Sequence, residues 1–168
     1  MRGRLAMWVL MLLGGLWGGW YLDAQCFAQL SRSWLFHLSM FLLGLILLAA
    51  VLSVSRHTGR TLARYGREGD LPRLQTNVLV TVGPYKLMRH PMHLGLLFLP
   101  LSIALLFGSP SFIFCIAPAE MVMMLLLIKR FEEPEAIKKF GDSYRKYQEN
   151  TPMFCLKISC IQALLGLK

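Results

Sequence analysis

The sequence predicts an all-α integral membrane protein with about four transmembrane helices, the last two paired as a hairpin, followed by cytosolic C-terminal helices. Three observations predict it. Of 168 residues, 55% are hydrophobic and only 16% are charged, against roughly 25% charged in a soluble domain. The missing charge is concentrated: Leu5 to Leu22 and Ser33 to Ser55 carry none, and Met92 to Ile128 carries only Glu120. The Lys and Arg are also unevenly placed, since all but Arg32 fall where alternate spans would bring them to one face.

The first two runs each match the ~20 residues a helix needs to cross a hydrocarbon core. The spans are therefore set at about 5–22 and 33–55. A cleaved signal peptide would share the basic start at Arg2 and Arg4. This apolar run is longer than a signal core, carries Trp8, Trp17, Trp20 and Tyr21, and is followed by no A-x-A site, so it reads as a retained helix. Gly14, Gly15, Gly18 and Gly19 form two overlapping G-x-x-x-G patterns, which let helix backbones approach closely. Packing within the chain is the expected use, ahead of a dimer face.

The third run is too long for one span. Phe107-Gly108-Ser109-Pro110 supplies a turn, giving spans at about 92–107 and 111–130. Arg2 and Arg4 precede the first span, seven basic residues lie between the second and third, and eight follow the fourth. This positive-inside pattern puts both termini in the cytosol. It assigns the net charge of +9 to topology and anionic lipid, and leaves no nucleic-acid partner to be expected.

The connector Arg56 to Leu74 reads as basic, partly amphipathic and lying on the headgroups. Asn77 to Val82 is short and β-branched but has no partner strand, so it reads as an extended segment. Gly83-Pro84 forces a turn, and Pro91 suits a helix start because its missing N–H costs little there. Lys129 to Tyr147 is charged with helical period. Phe140-Gly141 looks like a helix stop with Gly141 at a left-handed cap, and Asp142 or Ser143 can cap the next helix. The tail from Phe154 is apolar but too short to span. Cys26, Cys115, Cys155 and Cys160 show neither a C-x-x-C pair nor His at zinc spacing. Packing or lipid contact is expected of them, and no metal.

Two polar clusters lie where spans meet the cytosol. The first is Gly83-Pro84-Tyr85, then Arg89-His90-Pro91, His93 and Gly95. The second is Arg130-Phe131-Glu132-Glu133, then Phe140-Gly141, Tyr144, Tyr147 and Pro152. A hairpin of the third and fourth spans returns both to one face. Arg, His and Glu converging at the mouth of an apolar bundle suit a ligand charged at one end and greasy at the other. Each residue alone has a plainer reading, as a headgroup anchor or a solvated ion pair.

In this order and spacing, the two clusters resemble the isoprenylcysteine carboxyl methyltransferase family and the related bacterial phospholipid and thiol methyltransferases. The resemblance runs from about Leu74 to Phe154, within a single membrane domain spanning residues 1–168. It implies S-adenosylmethionine as cofactor, bound without a Rossmann domain. It implies a cofactor pocket of Asn77, Val78, Leu79, Val80, Tyr85, His90, Pro91, Met92, His93 and Glu132. Arg89 and Arg130 would sit near the acceptor and, with Glu133, would be the catalytic residues. Methyl transfer at the cytosolic membrane face to a prenylcysteine carboxylate, a phospholipid amine or a thiol is the implied reaction, with the bilayer and such a lipidic or small hydrophobic acceptor as partners. Family members usually carry Tyr at the place of His93, some carry His at Asn77, and many carry Pro-Arg at Pro152-Met153. Membrane reductases of the sterol-reductase type share a similar C-terminal pattern, and a bundle that has lost catalysis is the non-enzyme alternative. Glu120, inside the fourth span, should avoid lipid; it is expected either to line a groove leading towards Arg89 and Glu132 or to bond a neighbouring helix.

Overall fold

The computed structural model describes residues 2–70 and 75–166, with nothing stated of the side chains of residues 2–5. Pro72, Arg73 and Leu74, where the basic connector and the motif region meet, lie outside the described residues. Among the described residues every regular element is helical. The principal helices are α1 (Arg2–Cys26), α2 (Trp34–Tyr65), α3 (Pro91–Leu97), α4 (Leu99–Phe107), α5 (Ala117–Leu127), α6 (Glu133–Phe140), α7 (Asp142–Asn150) and α8 (Ile158–Leu165). Two stretches, Trp34–Tyr65 and Phe112–Phe140, are long and apolar enough to cross a membrane, and Pro91–Phe107 is a shorter apolar helix. The chain divides into two compact units, one of Met1–Ala49 with Leu97–Leu126 and one of Ala50–Leu96 with Leu127–Lys168.

The first unit is built on close backbone approach. A Cβ added at Gly15 would stand 2.6 Å from the Phe112 ring, and one at Gly19 would stand 2.7 Å from Ser109 Oγ. A Cβ at Gly44 of α2 would stand 2.8 Å from the Leu106 backbone nitrogen. Gly14 meets nothing, so of the two overlapping patterns Gly15/Gly19 makes the tighter contact, inside the chain. Phe112, Ala104, Ala117 and Ile113 form the buried core. The hairpin takes the expected turn: α4 ends at Phe107, Gly108 adopts φ +61°, and the next helix begins at Pro110. That helix is capped from a distance, because the Ser111 amide donates to Asp23 Oδ1 at 2.7 Å.

Two wide π-helical turns interrupt the long C-terminal helix, at Phe112–Ile116 and Ile128–Glu132. Each ends two residues before a proline, Pro118 and Pro134. Proline in a helix lacks an N–H and its ring presses on the carbonyl four residues back. A turn with one extra residue relieves that crowding without ending the helix.

In the second unit α2 runs past the expected end of its span, to Tyr65. Arg56, Arg60 and Arg64 mark an exit from the bilayer, but they are good helix formers. Thr58 and Thr61 bond back to the Val54 and His57 carbonyls. Gly95 lets α3 approach α2, since a Cβ there would stand 2.8 Å from Val54 Cγ1. Asn77–Val82 forms no strand and bends at Val78 and Val82. Gly141 has φ +58° and ψ −135°, a glycine-only conformation but not the left-handed cap expected, and α7 begins without a side-chain cap from Asp142 or Ser143. The tail forms α8, which packs Cys160 and Leu164 inward and contacts the Gly83–Lys86 turn. Cys155 and Cys160 form a disulfide, which corrects the expectation of packing cysteines; Cys26 and Cys115 are free and exposed.

Candidate functional site

The second unit holds the polar site, and its scaffold begins at the Gly83–Lys86 turn. Gly83 takes φ +59° and Pro84 follows in the first turn position, so the chain reverses and buries Tyr85 and Met88. The Tyr147 hydroxyl of α7 donates to the carbonyls of Tyr85 and Met88. Two backbone bonds then fix the entry to α3: the Arg89 amide donates to Pro152 O at 2.9 Å and the His90 amide to Met153 O at 3.2 Å. The contact uses the Met153 backbone and does not depend on the side chain at that position.

Arg89 is the hub. Its Nε and one terminal nitrogen reach Glu133 Oε1 at 3.0 and 2.6 Å. The other terminal nitrogen donates to the carbonyls of Gln148 and Thr151 at 3.0 and 2.7 Å. Glu133 also accepts from Gln148 Nε2 at 3.2 Å, and its Oε1 meets His90 Nε2 at 3.4 Å. Both charged side chains are nearly buried. A single planar guanidinium thus ties α3, α6 and the end of α7 together, a geometry Lys cannot copy.

His90 is buried, and His93 packs edge-on to it with ring centroids 5.4 Å apart. Burial, and then His93, push the His90 imidazole down to about 4, although Glu133 opposes the shift. It is neutral at pH 7, with Nε2 carrying the proton towards Glu133 and Nδ1 left as an acceptor. The Tyr85 hydroxyl is buried and has no hydrogen-bond partner among the described residues; burial, and then Tyr147, raise its pKa.

The predicted residues are not all gathered here. Arg89, His90, His93 and Glu133 form one network, with Pro91 and Met92 opening α3 beside it. Asn77 is exposed, and its side-chain amide brackets the Glu68 backbone, accepting at 2.9 Å and donating at 2.8 Å. It braces the segment carrying Val78, Leu79 and Val80, of which Val80 is buried. Glu132 is half-buried and Arg130 exposed. Glu120 is buried in the first unit, with Oε1 against Gly15 and Oε2 without a partner among the described residues. Sequence reasoning placed Tyr147 in the second cluster without giving it a role, and did not name Gln148 or Thr151. The i, i+3 spacing of Tyr144 and Tyr147 in an otherwise polar helix was the available signal.

A model of the phospholipid methyltransferase family matches residues 35–143, well over half of the chain. The chain belongs to the phospholipid methyltransferase family. The match takes in α2 to α6 and reaches the start of α7, including Arg89, His90 and Glu133. It agrees with the resemblance read from the two clusters and makes this an enzyme family of membranes, consistent with the two long apolar helices. No curated protein and no solved structure matches the chain.

Proposed function

We propose that this protein is a multi-pass membrane enzyme with both termini cytosolic. It transfers a methyl group from S-adenosylmethionine to a lipidic or small membrane-partitioning acceptor. The observation that carries the reading is the family match over the Arg89–His90–Glu133 network. The match favours methyl transfer over the reductase alternative. Four spans are supported by the 25-residue α1, about 37 Å long at 1.5 Å per residue, and by the Gly108-Ser109 hairpin beside the two long apolar helices.

The residues present fit the cofactor's chemistry. Tyr85 offers a buried, unpartnered hydroxyl, and His90 offers a neutral acceptor nitrogen beside His93. Glu132 supplies negative charge for an ammonium. When bound, the cofactor supplies an electrophilic methyl group on a sulfonium. The chain's own contribution is alignment and exclusion of water rather than acid–base work. Arg89 is assigned as a positioning residue, because its guanidinium is spent on Glu133, Gln148 and Thr151. Arg130, exposed at the end of the fourth span, is assigned as a cation for an anionic acceptor. A groove role for Glu120 would have to operate from the first unit.

Titration of the detergent-purified chain with S-adenosylhomocysteine tests the reading. Binding is expected, weakened about 10- to 150-fold by His90→Ala or Glu132→Ala, the range for a lost charge-assisted hydrogen bond. Absence of binding, or NADPH binding in its place, would reject it.

A further inference from the structure

The disulfide between Cys155 and Cys160 lies beside the proposed cofactor site, and methyl transfer itself gives it no task. The chain reaches it along the strap Thr151–Phe154. The carbonyls of Thr151, Pro152 and Met153 accept in turn from the Arg89 side chain, the Arg89 amide and the His90 amide. Phe154 follows, with its ring centroid 6.4 Å from that of His90. Cys155 is the next residue, and its partner Cys160 sits in the first turn of α8. α8 in turn contacts the Gly83–Lys86 turn, which carries Tyr85. One bond therefore joins the strap along His90 to the helix against the Tyr85 turn, and both of those residues are assigned to the cofactor. All of these elements belong to the second unit.

Without that bond α8 is weakly held. Its eight residues are too few for a helix that is stable on its own. Only Cys160 and Leu164 of the helix are buried, whereas Ile158 and Ile161 are exposed. The two sulfur-bearing residues also differ in access. Cys155 is half-buried on a non-helical segment next to the exposed Leu156, and Cys160 is buried. An incoming thiolate therefore meets Cys155 first.

We propose that Cys155 and Cys160 form a thiol–disulfide switch that latches the strap against His90, so that the redox state of the pair regulates the cofactor site. The proposal rests on the methyltransferase reading for the function of that site. A dithiol reductant opens the latch by two exchanges. Its first thiolate attacks the Cys155 sulfur, the Cys155–Cys160 bond breaks, and Cys160 leaves as a thiolate that takes up a proton. The reductant's second thiolate then attacks its own sulfur in the mixed disulfide and releases Cys155, which is protonated in the same way. The protein gains two electrons and two protons as a pair of thiols, and the reductant is left as a disulfide. A disulfide-bearing oxidant closes the latch by the same steps in reverse. Once opened, the strap keeps only its noncovalent contacts, and α8 frays.

The test is amide hydrogen exchange of the full chain in detergent, oxidised and after dithiothreitol, read at Arg89 and His90, whose acceptors lie on the strap. Reduction is expected to speed exchange at both amides about tenfold, within what a bond closing so short a loop can supply. S-adenosylhomocysteine affinity, measured on the same two samples, should fall several-fold on reduction. Cys155→Ser, which leaves the buried Cys160 in place, should match the reduced protein and ignore dithiothreitol. Equal exchange in the two states, or a Cys155→Ser variant that still responds to the reductant, would overturn the switch. Faster exchange with unchanged S-adenosylhomocysteine affinity would overturn its control of the cofactor site. A protein that binds no S-adenosylhomocysteine in either state would reject the methyltransferase reading, while the exchange difference would still decide whether the strap is latched.

Discussion

In the first unit Gly15, Gly19 and Gly44 bring helices together by omitting side-chain atoms, and the closest contacts are the Phe112 ring, the Ser109 side chain and the backbone of Leu105 and Leu106. In the second unit Arg89, Glu133 and His90 bring helices together through a nearly buried charge network, reinforced by Tyr147. The two schemes fail differently. Close packing tolerates no added volume, whereas a buried charge network tolerates no lost partner. The network sits in the unit that carries both polar clusters, where the proposed function calls for fixed orientation of polar groups.

The largest way to break this contrast is Glu133→Ala. It would strand Arg89 in a nearly buried place, and thermal unfolding in detergent should show a loss of about 3–5 kcal/mol. Acid attacks the same network more gently. The His90 pKa is depressed in the folded state, so the unfolded chain binds the extra proton first. Stability is intact above the unfolded value near 6.5 and falls as pH drops towards 4. The loss should be at most about 3.5 kcal/mol, at roughly 1.4 kcal/mol per pH unit, and a His90→Gln variant should flatten that slope.

Gly44→Ala probes the other scheme. Its Cβ would collide with backbone rather than a movable side chain, so about 1–3 kcal/mol of destabilisation is expected. Tyr147→Phe should cost about 1 kcal/mol by freeing the Tyr85 and Met88 carbonyls. Gly14→Ala, which meets nothing, should be neutral or gain up to about 1 kcal/mol from helix propensity. A cost at Gly14 equal to that at Gly44 would mean that α1 pairs with another molecule through its open glycine face.

Features set by local rules were readable from the chain. Gly108-Ser109-Pro110 announced the hairpin because glycine and proline constrain the backbone wherever they occur. Pro91 opened its helix for the same reason. The end of α2 was not readable, because Arg56 to Arg64 signal water, and water does not end a helix. The partners of Arg89 were also hidden. The residue was singled out, but Glu133 lies 44 positions away and Thr151 62 away, and nothing local says that a guanidinium will meet protein rather than ligand. Asn77 was expected in the pocket; that its side chain also brackets the Glu68 backbone was hidden, because it depends on where that backbone passes. The Cys155–Cys160 pair has no spacing signature.

The sulfur inventory of the chain gives it built-in reporters. The two free thiols, Cys26 and Cys115, both belong to the first unit, and the bonded pair belongs to the second. A membrane-impermeant maleimide applied to intact cells should therefore read the sidedness of Cys26 at the end of α1 without any engineered residue. A second, distinguishable maleimide added after a mild dithiol would tag only Cys155 and Cys160. The native protein thus carries separable labelling channels for its two halves, and the second channel opens only as far as its surroundings are reducing.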